Sequence, residues 1–129
     1  EKNEPYEKAH AGLPLVQHSL SLMLYYHQQG KISLEKIVEK MSHAPADCFQ
    51  VKERGYIREG YHADLVIADL NTPTIVSKEN LLYKCGWSPL EGTRFSNSIE
   101  KTFVNGRLVY ANGRVDESNR GQRMTFNRN

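Results

Sequence analysis

Gly55-Tyr56-Ile57-Arg58-Glu59-Gly60-Tyr61-His62-Ala63-Asp64-Leu65-Val66-Ile67-Ala68-Asp69 is the stretch at which the chain changes character. Its glycines turn the chain, small Ala63 lets backbones approach, and Leu65-Val66-Ile67 is a short apolar run between two aspartates. Such a run predicts a strand buried on both faces, or nearly so. Upstream, the apolar period is helical. Downstream, it is that of strands.

Leu13, Val16, Leu20, Met23 and Leu24 recur at helical spacing, with Leu15, Leu22, Tyr25 and Tyr26 widening the apolar face. This predicts a helix from about Pro14 to Gln29, stopped by Gly30 and buried on more than one side. A second helix starts at the N-cap Ser33 and carries Leu34, Ile37, Val38 and Met41 as one stripe. It is expected to end near Ser42-His43, because Pro45 disfavours helical geometry at Ala44. On the strand side, Thr102-Phe103-Val104, Asn105-Gly106 and Arg107-Leu108-Val109-Tyr110 spell a hairpin with a type I′ turn. Asn112-Gly113 turns again before Val115, and the tail from Asp116 reads as irregular. Helices followed only by strands do not make a self-contained layer pair, so each apolar face needs another layer. With Glu1 in place of a starting methionine, this order suggests a piece of something larger.

Composition narrows the classes. At 129 residues with 39% apolar, the chain suits one modest domain and is not a disordered segment. No apolar run approaches the ~18–20 residues of a membrane span. Seventeen Lys/Arg against fifteen Asp/Glu leave +2, too balanced to argue for nucleic acid or an anionic membrane. Cys48 and Cys85 show no ligand spacing, which fits free thiols in a cytoplasmic setting.

Chemistry-bearing residues are scattered. His10, His18, His27, His43 and His62 form no His-x-His and no i, i+4 pair, so they read as satisfied or exposed structural side chains. His18 and His27 lie about 180° apart on an ideal helix and cannot share a metal. Gly55 to Gly60 matches the glycine spacing of a phosphate loop, yet no Lys-Ser/Thr follows. Asp64 and Asp69 read as strand-end caps for backbone donors rather than as ligands. Trp87 reads as packing rather than as a cover over a ligand. No catalytic residue and no metal ligand can be assigned from these patterns.

The 55–69 stretch closely resembles the Gly-x-Ile-x-x-Gly-x-x-Ala-Asp-Leu-Val-x-x-Asp segment of metal-dependent amidohydrolases. Val104-Asn105-Gly106 with Val109-Tyr110 and Gly113 resembles the hairpin that closes their sandwich. Met41-Ser42-His43-Ala44-Pro45-Ala46 resembles the Ser-x-Asn-Pro-Ala after their last barrel helix, with His43-Ala44 departing from it. The approach through Ala9-His10-Ala11-Gly12-Leu13-Pro14 and the loop Cys85-Gly86-Trp87-Ser88-Pro89-Leu90-Glu91-Gly92 are similar to dihydroorotases. The resemblance implies an α/β fold: the C-terminal part of a (β/α)8 amidohydrolase barrel plus the C-terminal half of a composite β-sandwich. Residues 1–50 would supply the last barrel loop and helices, and residues 51–129 the sandwich strands and tail.

It further implies zinc-dependent hydrolysis of the cyclic amide of dihydroorotate to carbamoyl aspartate, or the reverse, in pyrimidine biosynthesis. Zinc would be bound by upstream residues absent from this chain, which alone would be inactive. Ala11 and Gly12 stand where that family carries a substrate-contacting dipeptide. The implied partner is that small-molecule substrate, with no nucleic acid, no membrane and room for a homodimer. Another cyclic amidohydrolase, of hydantoinase or allantoinase type, is the alternative. A non-catalytic dihydroorotase-like binding module is the alternative from a different class.

Overall fold

The computed structural model describes residues 4–9 and 11–127. A 3-10 turn, Val16–His18, leads into helix α1, Ser19–Gln28. The helix starts later than the spacing predicts. Leu15 bounds the 3-10 turn, its carbonyl accepting the His18 N–H at 3.1 Å, so Pro14 stays in the approach loop. The stop is as read: Gly30 has φ +70°, and Gly30 and Lys31 donate back to His27 and Tyr26.

Ser33 caps helix α2, Leu34–Val38, by accepting the Lys36 N–H at 3.2 Å. The expected stop at Ser42-His43 is wrong. A π-helical stretch, Glu39–His43, carries the chain on into helix α3, Ala44–Cys48. Ala44 has helical angles and donates to the Glu39 carbonyl, one residue further back than an α-helix would reach. Pro45 then occupies a first-turn position of α3, where its missing N–H costs nothing. The wider turn converts a stop signal into a restart.

Four strands form the main sheet: β1, Leu65–Asp69, β4, Ser98–Val104, β5, Arg107–Ala111, and β6, Arg114–Val115. They pair antiparallel in the order β1-β4-β5-β6. Between β1 and β4 the chain makes a separate two-stranded ribbon, β2, Thr74–Ile75, and β3, Arg94–Phe95. The β4–β5 turn is type I′ as read, with φ +51° at Asn105 and +76° at Gly106. Asn112-Gly113 repeats those angles between β5 and β6. The first turn is also tied to the start of β1. Gly106 donates to the Ala63 carbonyl, Asn105 donates to Asp64, and Arg54 joins both Asp64 and Asn105. Asp64 thus caps a strand start.

The core lies under α1 rather than in the main sheet. Phe95 is 0% and Val76 1% exposed, with Leu24, Ile37 and Ala46 also buried. Tyr25 meets Phe95 edge-on at 6.0 Å between centroids, and Asn97 donates to the Ser21 carbonyl at 3.1 Å. By contrast, the prediction that β1 is buried on both faces fails. Leu65, Val66 and Ile67 are 36%, 50% and 48% exposed, because β1 pairs with β4 along one edge but gains no layer that covers its two faces. The broad α1 face is also only partly covered: Ser21 and Leu24 are buried, while Val16 is exposed. Among the described residues no helix is long and apolar enough to cross a membrane.

Candidate functional site

The approach to α1 brings an exposed, unpaired backbone beside a built framework. Ala11, Gly12 and Leu13 are exposed, and Gly12 adopts φ +89° with no described residue near its Cβ position. Among the described residues, no hydrogen bond engages Ala11, Gly12 or Leu13. Further along, the donors are taken. The Gln17 N–H goes to the Tyr83 hydroxyl at 2.9 Å, and that of His18 to Leu15. The amides left for a ligand therefore lie at Val16 and before it, with Pro14 supplying none.

Gln17 does more than give up its amide. Its Nε2 donates to the Asn80 carbonyl at 2.8 Å, and its Oε1 accepts the Leu82 N–H at 2.8 Å. His18, the next residue, is 6% exposed, lies 28° from parallel to Phe95 at 6.3 Å and meets Tyr83 edge-on at 6.0 Å. Its Nδ1 has no hydrogen-bond partner, and burial lowers its pKa below the usual histidine value. His18 is therefore neither satisfied nor exposed. The reading of it as one or the other is corrected: the rings of Phe95 and Tyr83 flank it, and no group pairs with Nδ1. Gln17, His18 and Ser21 also line an open groove of about 500 Å³ between α1 and the sheet, whose far wall includes Glu100, Thr102 and Tyr110.

The remaining candidates are dispersed. His27 contacts the Ile32 carbonyl through Nδ1 at 3.0 Å. His43 stacks on Tyr56 at 4.2 Å and 7°, far from α1 in sequence, and His62 is exposed. His10 lies outside the described residues. Asp69 accepts from the Asn71 N–H and the Thr72 hydroxyl, which hold its carboxyl below the ordinary range. Cys48 and Cys85 are free and exposed, and Trp87 is half-buried in its loop. Among the described residues, no three His, Cys, Asp or Glu side chains converge as a metal site would require. The donor set of the described residues does not fit a zinc ion.

Sequence reading missed Gln17, Tyr83 and Asn97. Gln17 offered only a polar position on an apolar helix, and its partners stand 63 to 66 residues away.

Residues 13–109 match the Amidohydrolase family. The dihydroorotase of Pyrococcus abyssi is 33% identical over 121 residues, covering 94% of this chain and 30% of that protein. The allantoinase of Desulfitobacterium hafniense is 30% identical over 115 residues, covering 88% and 26%. Among solved structures, the L-hydantoinase (dihydropyrimidinase) of Arthrobacter aurescens superposes with a TM-score of 0.75 at 34% identity, covering 84% of this chain and 25% of that one. The chain thus spans about 30% of the length of the curated relatives it matches.

Proposed function

Since the chain belongs to the Amidohydrolase family and is dihydroorotase-like, we propose that it works as part of a cyclic amidohydrolase acting on dihydroorotate. In this reading residues 1–50 complete a (β/α)8 barrel and residues 51–129 its β-sandwich. The reaction is hydrolysis of the ring amide to carbamoyl aspartate, or its reversal, within pyrimidine biosynthesis in the cytoplasm. The observation that carries it is continuity. The family match runs across the helix-to-strand switch at 55–69 and takes in α1 and the hairpin as far as Val109.

The part assigned to this chain is binding, not bond breaking. Dihydroorotate carries a carboxylate, and the free amides of Ala11, Gly12, Leu13, Leu15 and Val16, in the loop that leads through the 3-10 turn into α1, are donors it can accept from. Ala11 and Gly12 are the substrate contacts. Glycine lets the backbone approach the ligand, since no described residue fills the space where a Cβ would point. Any zinc is held by residues this chain does not contain, and no step through it is derived from the present geometry.

The test is turnover by the complete protein with dihydroorotate and carbamoyl aspartate, set beside hydantoin and allantoin. Preference for the first pair is expected. Preference for hydantoin or allantoin would replace the substrate and keep the reaction class, an outcome favoured by the allantoinase and hydantoinase likenesses. No turnover of any of them, in a protein loaded with zinc, would favour the binding-module reading.

A further inference from the structure

The exposed loop before α1 has little to hold it. No hydrogen bond to a described residue engages Ala11, Gly12 or Leu13, and only Pro14 carries a fixed φ. A loop that must present amides to a ligand within a few tenths of an ångström needs an external reference. The first residue after it that has one is Gln17.

Three hydrogen bonds leave Gln17, and all end on one segment: the Asn80 carbonyl, the Leu82 N–H and the Tyr83 hydroxyl. That segment is itself fixed. Ser77 and Asn80 cap each other, and the Asn80 amide donates to the Ile75 carbonyl at 2.7 Å, one residue from buried Val76. The clamp therefore refers the loop's downstream end to the most deeply buried part of the molecule. It also demands glutamine. Its carboxamide donates to one partner and accepts from another two residues on; glutamate loses the donor, and leucine loses both.

We infer that Gln17 is a positioning residue for substrate: through Asn80, Leu82 and Tyr83 it sets where the Ala11–Val16 amides stand relative to the ligand's carboxylate. This rests on the reading of Ala11 and Gly12 as substrate contacts.

The experiment compares Gln17→Leu, Gln17→Glu and Gly12→Val in the complete protein, reading KM and kcat for dihydroorotate, metal content and Tm. Gln17→Leu is expected to raise KM about tenfold while kcat stays within about twofold and metal content is unchanged, because the loop shifts but the reacting centre does not. Gln17→Glu keeps the acceptor for Leu82, so its KM falls between parent and leucine; it carries the test if the leucine variant does not fold. A Gln17→Leu protein with parent KM, beside a Gly12→Val protein with raised KM, overturns this inference and leaves the functional reading standing. Parent KM in both overturns the substrate-loop reading and the inference with it. Loss of kcat in step with a fall in Tm and unchanged KM marks Gln17 as merely structural, which also overturns it.

Discussion

Gly55 lies against Ala46 so closely that the two residues leave no room for a second Cβ between them. The same Cβ would also come within 2.9 Å of the Ser42 carbonyl oxygen, and Gly55 sits at φ +82°. The turn that begins the strand half is thus pressed onto the π-to-α junction of the second helix. Gly55→Ala combines a left-handed backbone with a backbone clash. It should cost roughly 2–4 kcal/mol, read as a lower denaturation midpoint. A loss under about 0.5 kcal/mol would mean that the junction gives way freely.

A second prediction concerns acid. The folded state disfavours charged His18, so its pKa is lowered by burial relative to the unfolded chain. The unfolded chain therefore binds the proton first. The groups that face His18 across its surroundings are Tyr83 and, along the groove, Glu100 and Tyr110, none of which pairs with Nδ1. Stability should be full above about pH 6.5 and fall as pH drops through the lowered folded value. Thermal melts from pH 8 to pH 5 check this. His18→Phe should flatten that part of the slope; an unchanged slope would assign it to other groups.

The loop glycine gives a third. Gly12→Val in the complete protein should lower kcat/KM for dihydroorotate about tenfold or more, with metal content intact, as lost hydrogen bonds to a charged group are worth roughly 1–3 kcal/mol. Because φ at Gly12 is +89°, some loss of Tm accompanies any side chain there. Gly12→Ala separates the two effects. If Tm falls in both variants and efficiency in neither, Gly12 only permits the turn.

How much of this was legible depended on range along the chain. Gly30, Ser33, Asn105-Gly106 and Asn112-Gly113 act on their immediate neighbours, so residue type alone located them. Pro45 misled because a proline marks a helix start as well as a stop, and only the Glu39–His43 widening decides between them. Leu65-Val66-Ile67 misled because an apolar run states a need for burial without supplying the cover. For the proposed site, the choice of Ala11 and Gly12 rests on resemblance alone. Gln17 stayed hidden because nothing near it in sequence announces Tyr83.

A fourth prediction follows from that uncovered strand. Leu65, Val66 and Ile67 sit on an edge, and Leu108 and Val115 of the same sheet are also exposed. The chain of 129 residues by itself should bind a hydrophobic dye strongly or self-associate. A monodisperse monomer with dye fluorescence at the level of a compact control would contradict it.

Metal is the fifth. With no converging ligand trio among the described residues, this chain alone should retain no zinc after chelation, re-addition and dialysis. One tightly held zinc per chain, measured by elemental analysis, would sink the claim.

The polar tail ends by pairing with the start of the strand half: Val51 bridges Phe126, Lys52 donates to Thr125 and Asn127 to Gln50, both at 2.9 Å. The residues of both bonds, Gln50, Lys52, Thr125 and Asn127, are exposed, and exposed backbone pairs open readily. Phe126 is itself 41% exposed and adds little burial. The clasp should therefore come undone many times for each opening of the sheet. In amide hydrogen exchange, Lys52 and Asn127 are expected to lose protection orders of magnitude sooner than Thr102 or Val104, and a protease should trim the tail from a molecule whose hairpin is still intact.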